Sequence, residues 1–177
     1  SETILRVRQL PDRLVVVGGG VEAIEFGHIF ASLGSRVTLV NRSDRLLRRI
    51  DGQIAARATQ LAAEHFAVRL NQRLSSVEPA ERGGLLLRFV DPSSTEYRYN
   101  ADALLVVAGR IPNGDQLAVE RAGVDVDETG FVVVDEHQRT SREHIWALGD
   151  VCDRRLLKHV ANAQARVVQH NLLHPDE

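Results

Sequence analysis

Apolar runs alternate with amphipathic stretches from residue 14 onward, and this alternation predicts strands and helices in turn. Residues 14–17 are four consecutive aliphatic residues. Such a run is typical of a strand buried on both faces, because central parallel strands lose the polar alternation of half-exposed ones. Apolar positions then recur at helical spacing to about Leu33, and Gly34 marks a helix end. Residues 37–40 are again apolar, so the chain is predicted to begin with a βαβ unit.

The alternation continues, with an insertion, to residue 108. Helical spacing predicts a helix over residues 51–65, and apolar runs predict strands at 68–70 and 103–108. Turn-forming residues separate three further strand-like runs, which predict an antiparallel meander: residues 74–80, 85–90 and 95–100. The predicted fold class is α/β, a Rossmann-type doubly wound parallel sheet with an antiparallel meander.

The character of the sequence changes beyond Asn113. Residues 130–135 and 145–150 read as two strands, and residues 159–173 as a helix. The second run ends in Gly149-Asp150, where a carboxylate could accept hydrogen bonds from sugar hydroxyls. An aspartate at such a place is about as often a helix cap or a turn former, so both interpretations stay open.

The glycine-rich turn after the first strand predicts a dinucleotide site. Gly18 permits the tight turn, Gly20 allows the backbone to approach a pyrophosphate, and Ala23 lets the helix pack closely on the strand. The helix that begins there directs its unpaired N–H groups and positive dipole end at the phosphates. Bare motifs of this kind often bind nothing, but here the motif follows a strand and opens a helix, as the Rossmann unit requires.

The end of the second strand indicates which nucleotide is bound. An NAD site usually places an acid there for the ribose 2′-hydroxyl, whereas this chain has Asn41 followed directly by Arg42. Arg45, Arg48 and Arg49 follow closely, and guanidinium groups match phosphate oxygens bidentately, so this pattern predicts NADPH. The alternative is a solvated basic start to the next helix, with no ligand role.

Three motifs in order resemble the landmarks of the flavoprotein disulfide reductases, a family that includes glutathione reductase and dihydrolipoamide dehydrogenase. They are residues 18–25, residues 108–113, and Thr140 together with residues 145–150. The resemblance implies binding of NADPH and FAD: Glu25 beside the nicotinamide, Asp150 on the flavin ribitol, and the backbone of 156–159 by the flavin pyrimidine ring. It also implies that Arg42 and Arg48 bind the 2′-phosphate, with Ser43 between them, and we expect the neighbouring Arg45 and Arg49 to be solvated. The cofactor-binding residues expected in this way are Gly18, Gly19, Gly20, Val21, Glu22, Ala23, Ile24, Glu25, Asn41, Arg42, Ser43, Arg48, Leu74, Gly109, Asp150, Leu156, Leu157, Lys158 and His159.

The resemblance also implies a domain organisation and missing parts. Residues 1–10 are expected to be a connector from an FAD domain, residues 11–112 the NADPH-binding domain, and residues 113–177 the C-terminal part of the FAD domain. The family's redox cysteine pair and catalytic histidine are absent, so no catalytic residue is expected in this chain. The remaining FAD and dimerisation domains, and a homodimer, are expected of the parent protein.

The implied reaction passes hydride from NADPH through FAD to a disulfide that reduces a small-molecule disulfide substrate. Residues 156–162 and 166–173 are most similar to the mycothione reductase branch of the family, which predicts mycothione as the substrate. Two alternatives stay open. One is an NAD enzyme of the dihydrolipoamide dehydrogenase type, which would favour an acid at position 41, and the other is a dinucleotide-binding module without chemistry.

Composition excludes several other classes. The 177 residues carry a net charge of −2 and no basic stripe with interleaved aromatics, so a nucleic acid partner is not expected. No apolar run approaches the length of a membrane span. The single Cys152 and the absence of a leader favour the cytoplasm. His170 and His174 are four residues apart but have no third ligand in view, so no metal site is expected.

Overall fold

The computed structural model describes residues 2–81 and 83–174, so Ser1 of the predicted connector and residues 175–177 of the predicted C-terminal segment lie outside the described residues. The chain divides into two compact units, Ser1–Gly109 and Arg110–Glu177. The first contains the seven strands of the chain's described part: β1 (Arg13–Val17), β2 (Arg36–Val40), β3 (Ala67–Arg69), β4 (Arg73–Pro79), β5 (Leu85–Val90), β6 (Glu96–Ala101) and β7 (Ala103–Val106).

Four of these strands form the predicted parallel sheet, in the order β3-β2-β1-β7. Val15 of β1 is in register with Thr38 of β2 and with Leu104 of β7. All four strands run in the same direction, so their carboxyl ends lie along one edge of the sheet. The turns at 18–20, 41–50 and 107–109 follow three of these ends, which is where ligands bind in open α/β sheets.

Two helices follow β1 and β2. Helix α1 (Val21–Ser32) ends in a Schellman motif, in which the Ser35 N–H donates to Phe30 O at 2.9 Å and the Gly34 N–H to Ala31 O at 3.0 Å. Gly34 has φ +107°, a conformation that favours glycine. Helix α2 (Gly52–His65) begins after Asp51, whose carboxylate accepts from the Gln53 and Ile54 N–H groups. The predicted helices at these places are confirmed.

Strand β1 is buried on both faces, as its unbroken apolar run predicted. Leu14 and Val16 point to a cluster that includes Phe30 of α1. Val15 points the other way, to a cluster with Leu87 and Phe89 of the meander. The meander is antiparallel, in the order β4-β5-β6. Alternation is therefore absent from β1 because each face meets a different apolar layer.

The second unit corrects two sequence-based predictions. Residues 130–135 and 145–150 form no regular strands, but only two isolated bridges, Val126 with Val132 and Arg139 with Trp146. A strand is defined by a series of hydrogen bonds to a neighbouring strand, and within the described residues these segments form only single bridges. The predicted C-terminal helix is confirmed as α3 (Lys158–Leu173). No helix in the described part of the chain is long and apolar enough to cross a membrane.

Candidate functional site

The glycine turn is held at the sheet edge by backbone hydrogen bonds. The Gly18 N–H donates to Val40 O at 3.1 Å, which joins the turn to β2. Gly18 has φ +153°, and a β-carbon there would lie 2.5 Å from Val107 O, so only glycine fits between the strands. A β-carbon on Gly20 would meet nothing within 4 Å. The turn is therefore tight at its first glycine and open at its third.

The start of α1 is available to an anion. Its N-cap, Gly20, has no side chain, so the first-turn N–H groups receive no hydrogen bond from the capping residue. Ala23 is fully buried, which allows the close packing of helix on strand that the motif predicted. Val21 and Glu25 are exposed, whereas Glu22 is half-buried and Ile24 packs against the core. The helix start keeps the features on which the prediction of a phosphate site rests, an N-cap without a side chain and a small residue packed on the strand.

Residues 42–50 form a loop after β2 that we call the arginine loop. Leu46 anchors the loop, because its side chain is completely buried and its backbone N–H donates to Thr59 Oγ1 of α2 at 3.2 Å. Leu47, which has φ +51°, donates its N–H to Gly19 O at 2.7 Å. The Asn71 N–H donates to Ser43 O at 3.0 Å. The loop is thus attached to α2, to the glycine turn and to the segment after β3.

The arginine loop presents positive charge at this edge. Residues 41–51 contain four arginines against two aspartates, and all four arginines are exposed: Arg42, Arg45, Arg48 and Arg49. Exposure therefore does not separate the two predicted phosphate ligands from the two expected to be solvated. The structure brings the glycine turn and the arginine loop together, through the hydrogen bond from Leu47 to Gly19. The loop that carries the four arginines is therefore attached to the turn on which an anionic nucleotide is predicted to bind.

Asn41 occupies the position where NAD sites carry an acid, and it is 9% exposed. Its Nδ2 donates to Arg45 O at 2.9 Å. Its backbone N–H donates to Arg69 O, and its backbone C=O accepts from the Gln72 N–H. Sequence reasoning identified the position but missed this use of the amide, and it missed Thr59 and Leu46 altogether. Leu46, an apolar residue among four arginines, could have indicated that the loop is anchored in the core.

Two other predicted residues belong to the first unit. Leu74, the second residue of β4, packs with the second apolar cluster, where it is paired with Phe89. Gly109 is the last residue of the first unit, and a β-carbon there would meet nothing within 4 Å. The cofactor roles assigned to both residues stay predictions.

The second unit carries the residues predicted to meet FAD. Asp150 lies in a short 3-10 turn, Gly149–Val151, and its Oδ2 is 3.6 Å from Arg110 Nη1. The predicted strand terminus is therefore a turn. Helix α3 begins after Leu157 without a side-chain cap, and Lys158 and His159 in its first turn are exposed. Leu156, just before it, has φ +54°.

Gln164 is a feature of this unit that sequence reasoning missed. It is 8% exposed, its Oε1 accepts from the Gly149 N–H at 2.8 Å, and its Nε2 donates to Asp153 Oδ2 at 2.8 Å. The hydrogen bond from Arg155 is the main reason that the pKa of Asp153 falls to about 2. Gln164 therefore connects α3 to Gly149 and Asp153, the residues on either side of the segment that contains Asp150.

Cys152 lies in the same turn and is half-buried. Burial raises the pKa of its thiol, and the neighbouring Asp153 raises it further. A thiol with a raised pKa is a poor nucleophile. Within the described residues, no group of three or more His, Cys, Asp or Glu side chains could hold a metal ion. His170 and His174 stack on each other, with ring centroids 4.7 Å apart.

The fold is that of a Rossmann-type α/β protein with a glycine-rich turn after its first strand, and comparison gives the family. The model of the pyridine nucleotide-disulphide oxidoreductase family matches residues 1–166, and the chain belongs to this family. A mycothione reductase from Mycobacterium tuberculosis is 49% identical over 174 residues, covering 98% of this chain and 36% of that protein. A dihydrolipoyl dehydrogenase from Vibrio cholerae is 33% identical over 159 residues, covering 90% of this chain and 33% of that protein.

Solved structures agree with the family. The HOCl-induced flavoprotein disulfide reductase RclA from Escherichia coli has a TM-score of 0.84 at 30% identity, covering 96% of this chain and 38% of that one. LpdA from Mycobacterium tuberculosis has a TM-score of 0.80 at 30% identity, covering 95% and 36%. The resemblance inferred from the motifs is thus confirmed. The chain spans about a third of the length of the curated relatives it matches.

Proposed function

We propose that this chain is the NADPH-binding part, with adjoining FAD-domain sequence, of a cytoplasmic flavoprotein disulfide reductase. The observation that carries the choice of NADPH is the arginine loop, which presents four exposed arginines next to an uncapped helix start. A 2′-phosphate adds about two negative charges that these guanidinium groups can pair with. The acid that would hold a free 2′-hydroxyl is replaced by a buried amide, Asn41.

The second unit supports the FAD part of the proposal. Asp150 could accept hydrogen bonds from the flavin ribitol, and the N–H groups that begin α3 could face the flavin ring.

In this proposal, each part of the chain binds a different part of the cofactors. The glycine turn and α1 bind the pyrophosphate, the arginine loop binds the 2′-phosphate, and Glu25 lies near the nicotinamide. FAD, when bound, supplies a two-electron acceptor between the nicotinamide and a redox disulfide. Residues that hold that disulfide, contact the small-molecule substrate or form the homodimer belong to the parent protein. We propose mycothione as the substrate, on the 49% identity to a mycothione reductase.

Calorimetric titration with NADPH and NADH tests the choice of nucleotide. We expect NADPH to bind well and NADH poorly. Arg42→Ala and Arg48→Ala should each weaken NADPH binding roughly 10- to 100-fold, since a hydrogen bond to a charged group contributes about 1.5–3 kcal/mol. Arg166→Ala, an exposed position on α3, is the matched control and should change neither affinity.

The outcomes separate the candidates. Equal affinity for the two nucleotides, or no effect of either arginine substitution, would refute the phosphate role of the arginine loop. Preference for NADH would favour an enzyme of the dihydrolipoyl dehydrogenase type, a relative that is 33% identical. Activity of the reconstituted parent protein with NADPH and mycothione tests the substrate, and activity with dihydrolipoamide alone would overturn it. A parent protein that binds NADPH but reduces no disulfide would leave only a nucleotide-binding module.

A further inference from the structure

The side chain of Asn41 lies between the two parts of the nucleotide site. Its Nδ2 donates to Arg45 O at 2.9 Å, which ties the first turn of the arginine loop back to the end of β2. Arg45 lies midway between Arg42 and Arg48, the two predicted phosphate ligands. Since the amide is nearly buried, little of it remains to face a ligand.

The same amide packs on the glycine turn. A β-carbon at Gly19 would lie 2.5 Å from both Asn41 Cγ and Asn41 Nδ2, so the amide fills the space that a side chain at position 19 would need. The C=O of Gly19 in turn accepts the Leu47 N–H at 2.7 Å. Asn41 therefore contacts the pyrophosphate turn on one side and holds the arginine loop on the other.

We infer that Asn41 sets the preference for a 2′-phosphate as a positioning residue, through the loop rather than through contact with the ribose. This inference rests on the proposed NADPH function. Its chemical basis is that the loop needs a donor at position 41, because the acceptor is a backbone carbonyl, Arg45 O. A carboxylate there would place negative charge against that oxygen with no hydrogen to share. The acid typical of NAD sites would thus repel a 2′-phosphate and also release the arginine loop.

The test compares two probes that differ only in the 2′-phosphate, adenosine 2′,5′-bisphosphate and adenosine 5′-monophosphate. Asn41→Leu keeps the approximate volume and removes the donor, and Asn41→Ala is a second variant in case leucine is not accommodated. We expect either variant to lose about tenfold in affinity for the bisphosphate, the equivalent of one hydrogen bond, and less than about threefold for the monophosphate. Asn162→Leu, an exposed asparagine on α3, is the matched control.

Hydrogen exchange supplies a readout independent of ligand. In the Asn41 variants, the amides of residues 42–50 should exchange faster, while those of α1 and β1 keep their protection. Equal loss of affinity for both probes would mean that Asn41 merely supports the site, and would overturn the inference. Unchanged affinity for the bisphosphate would overturn it as well. If the unmodified chain binds both probes equally, the proposed NADPH function itself fails, which separates the two results.

Discussion

Replacement of Gln164 by leucine should loosen the turn that holds Asp150. The amide uses both of its ends, with Oε1 on the Gly149 N–H and Nε2 on the Asp153 carboxylate. Leucine has a similar volume and no polar atoms, so Gln164→Leu leaves the Gly149 N–H buried without its acceptor. Asp153 loses one donor but keeps Arg155, whose Nη2 is 2.6 Å from Asp153 Oδ2.

The magnitude follows from this asymmetry. A buried N–H left without an acceptor costs about 1–3 kcal/mol, whereas the bond to Asp153 is partly replaced by Arg155 and by water. We expect a loss of about 2–3 kcal/mol in the free energy of unfolding of the second unit. At a denaturant dependence of about 2 kcal/mol per molar urea, the unfolding midpoint should fall by roughly 1 M.

Urea unfolding followed by circular dichroism measures the global effect, and hydrogen exchange at residues 149–153 measures the local one. Gln169→Leu is the control, because it makes the same chemical change at an exposed position of the same helix. The unfolding midpoint of Gln169→Leu should stay within a few tenths molar of that of the unmodified chain. In Gln164→Leu, the Gly149 amide should exchange faster than in the control.

The reasoning is refuted if Gln164→Leu is no more destabilising than Gln169→Leu, or if the Gly149 amide keeps its protection. Gln164→Glu separates the two hydrogen bonds, since a carboxylate still accepts from Gly149 but cannot donate to Asp153. This variant should retain part of the stability at neutral pH. It should recover more at lower pH, where a protonated glutamate can donate again.

Three further predictions concern specificity, flavin and pH. The double substitution Asn41→Glu with Arg42→Ala should move preference from NADPH toward NADH. We expect a large loss of NADPH affinity but only a modest gain of NADH affinity, because Arg48 still attracts phosphate. Retained NADPH affinity in titration would place the phosphate elsewhere. The chain should purify without visible flavin absorbance, because our proposal assigns the adenine half of the flavin site to the rest of the parent protein, and one flavin per chain would contradict this. Asp153, with its pKa lowered to about 2 from 3.8, stabilises the fold when ionised, and this contribution is lost as the pH falls from about 4 to 2. In an acid titration, Arg155→Ala should therefore lose less stability over this interval than the unmodified chain.

Local pattern was enough for the Rossmann unit. The unbroken aliphatic run of β1, the glycine turn and the helical spacing of α1 each depend on neighbours close in sequence, so they could be predicted without tertiary information. The meander and α3 followed in the same way. The arginine loop was identified as a charge cluster, and four exposed arginines now lie at the expected edge of the sheet.

The remaining features depend on tertiary structure. The runs at 130–135 and 145–150 look like strands, but a strand needs a hydrogen-bonded neighbour, and the described residues supply single bridges only. The roles of Asn41 and Gln164 could not be predicted from the sequence pattern either, because the sequence does not show whether an amide side chain is exposed or buried. Asn41 reaches Arg45 O across a loop, and Gln164 reaches Gly149 across 15 residues. Only the folded chain brings each amide to the backbone group that it satisfies, since burial makes such a bond necessary and tertiary packing makes it possible.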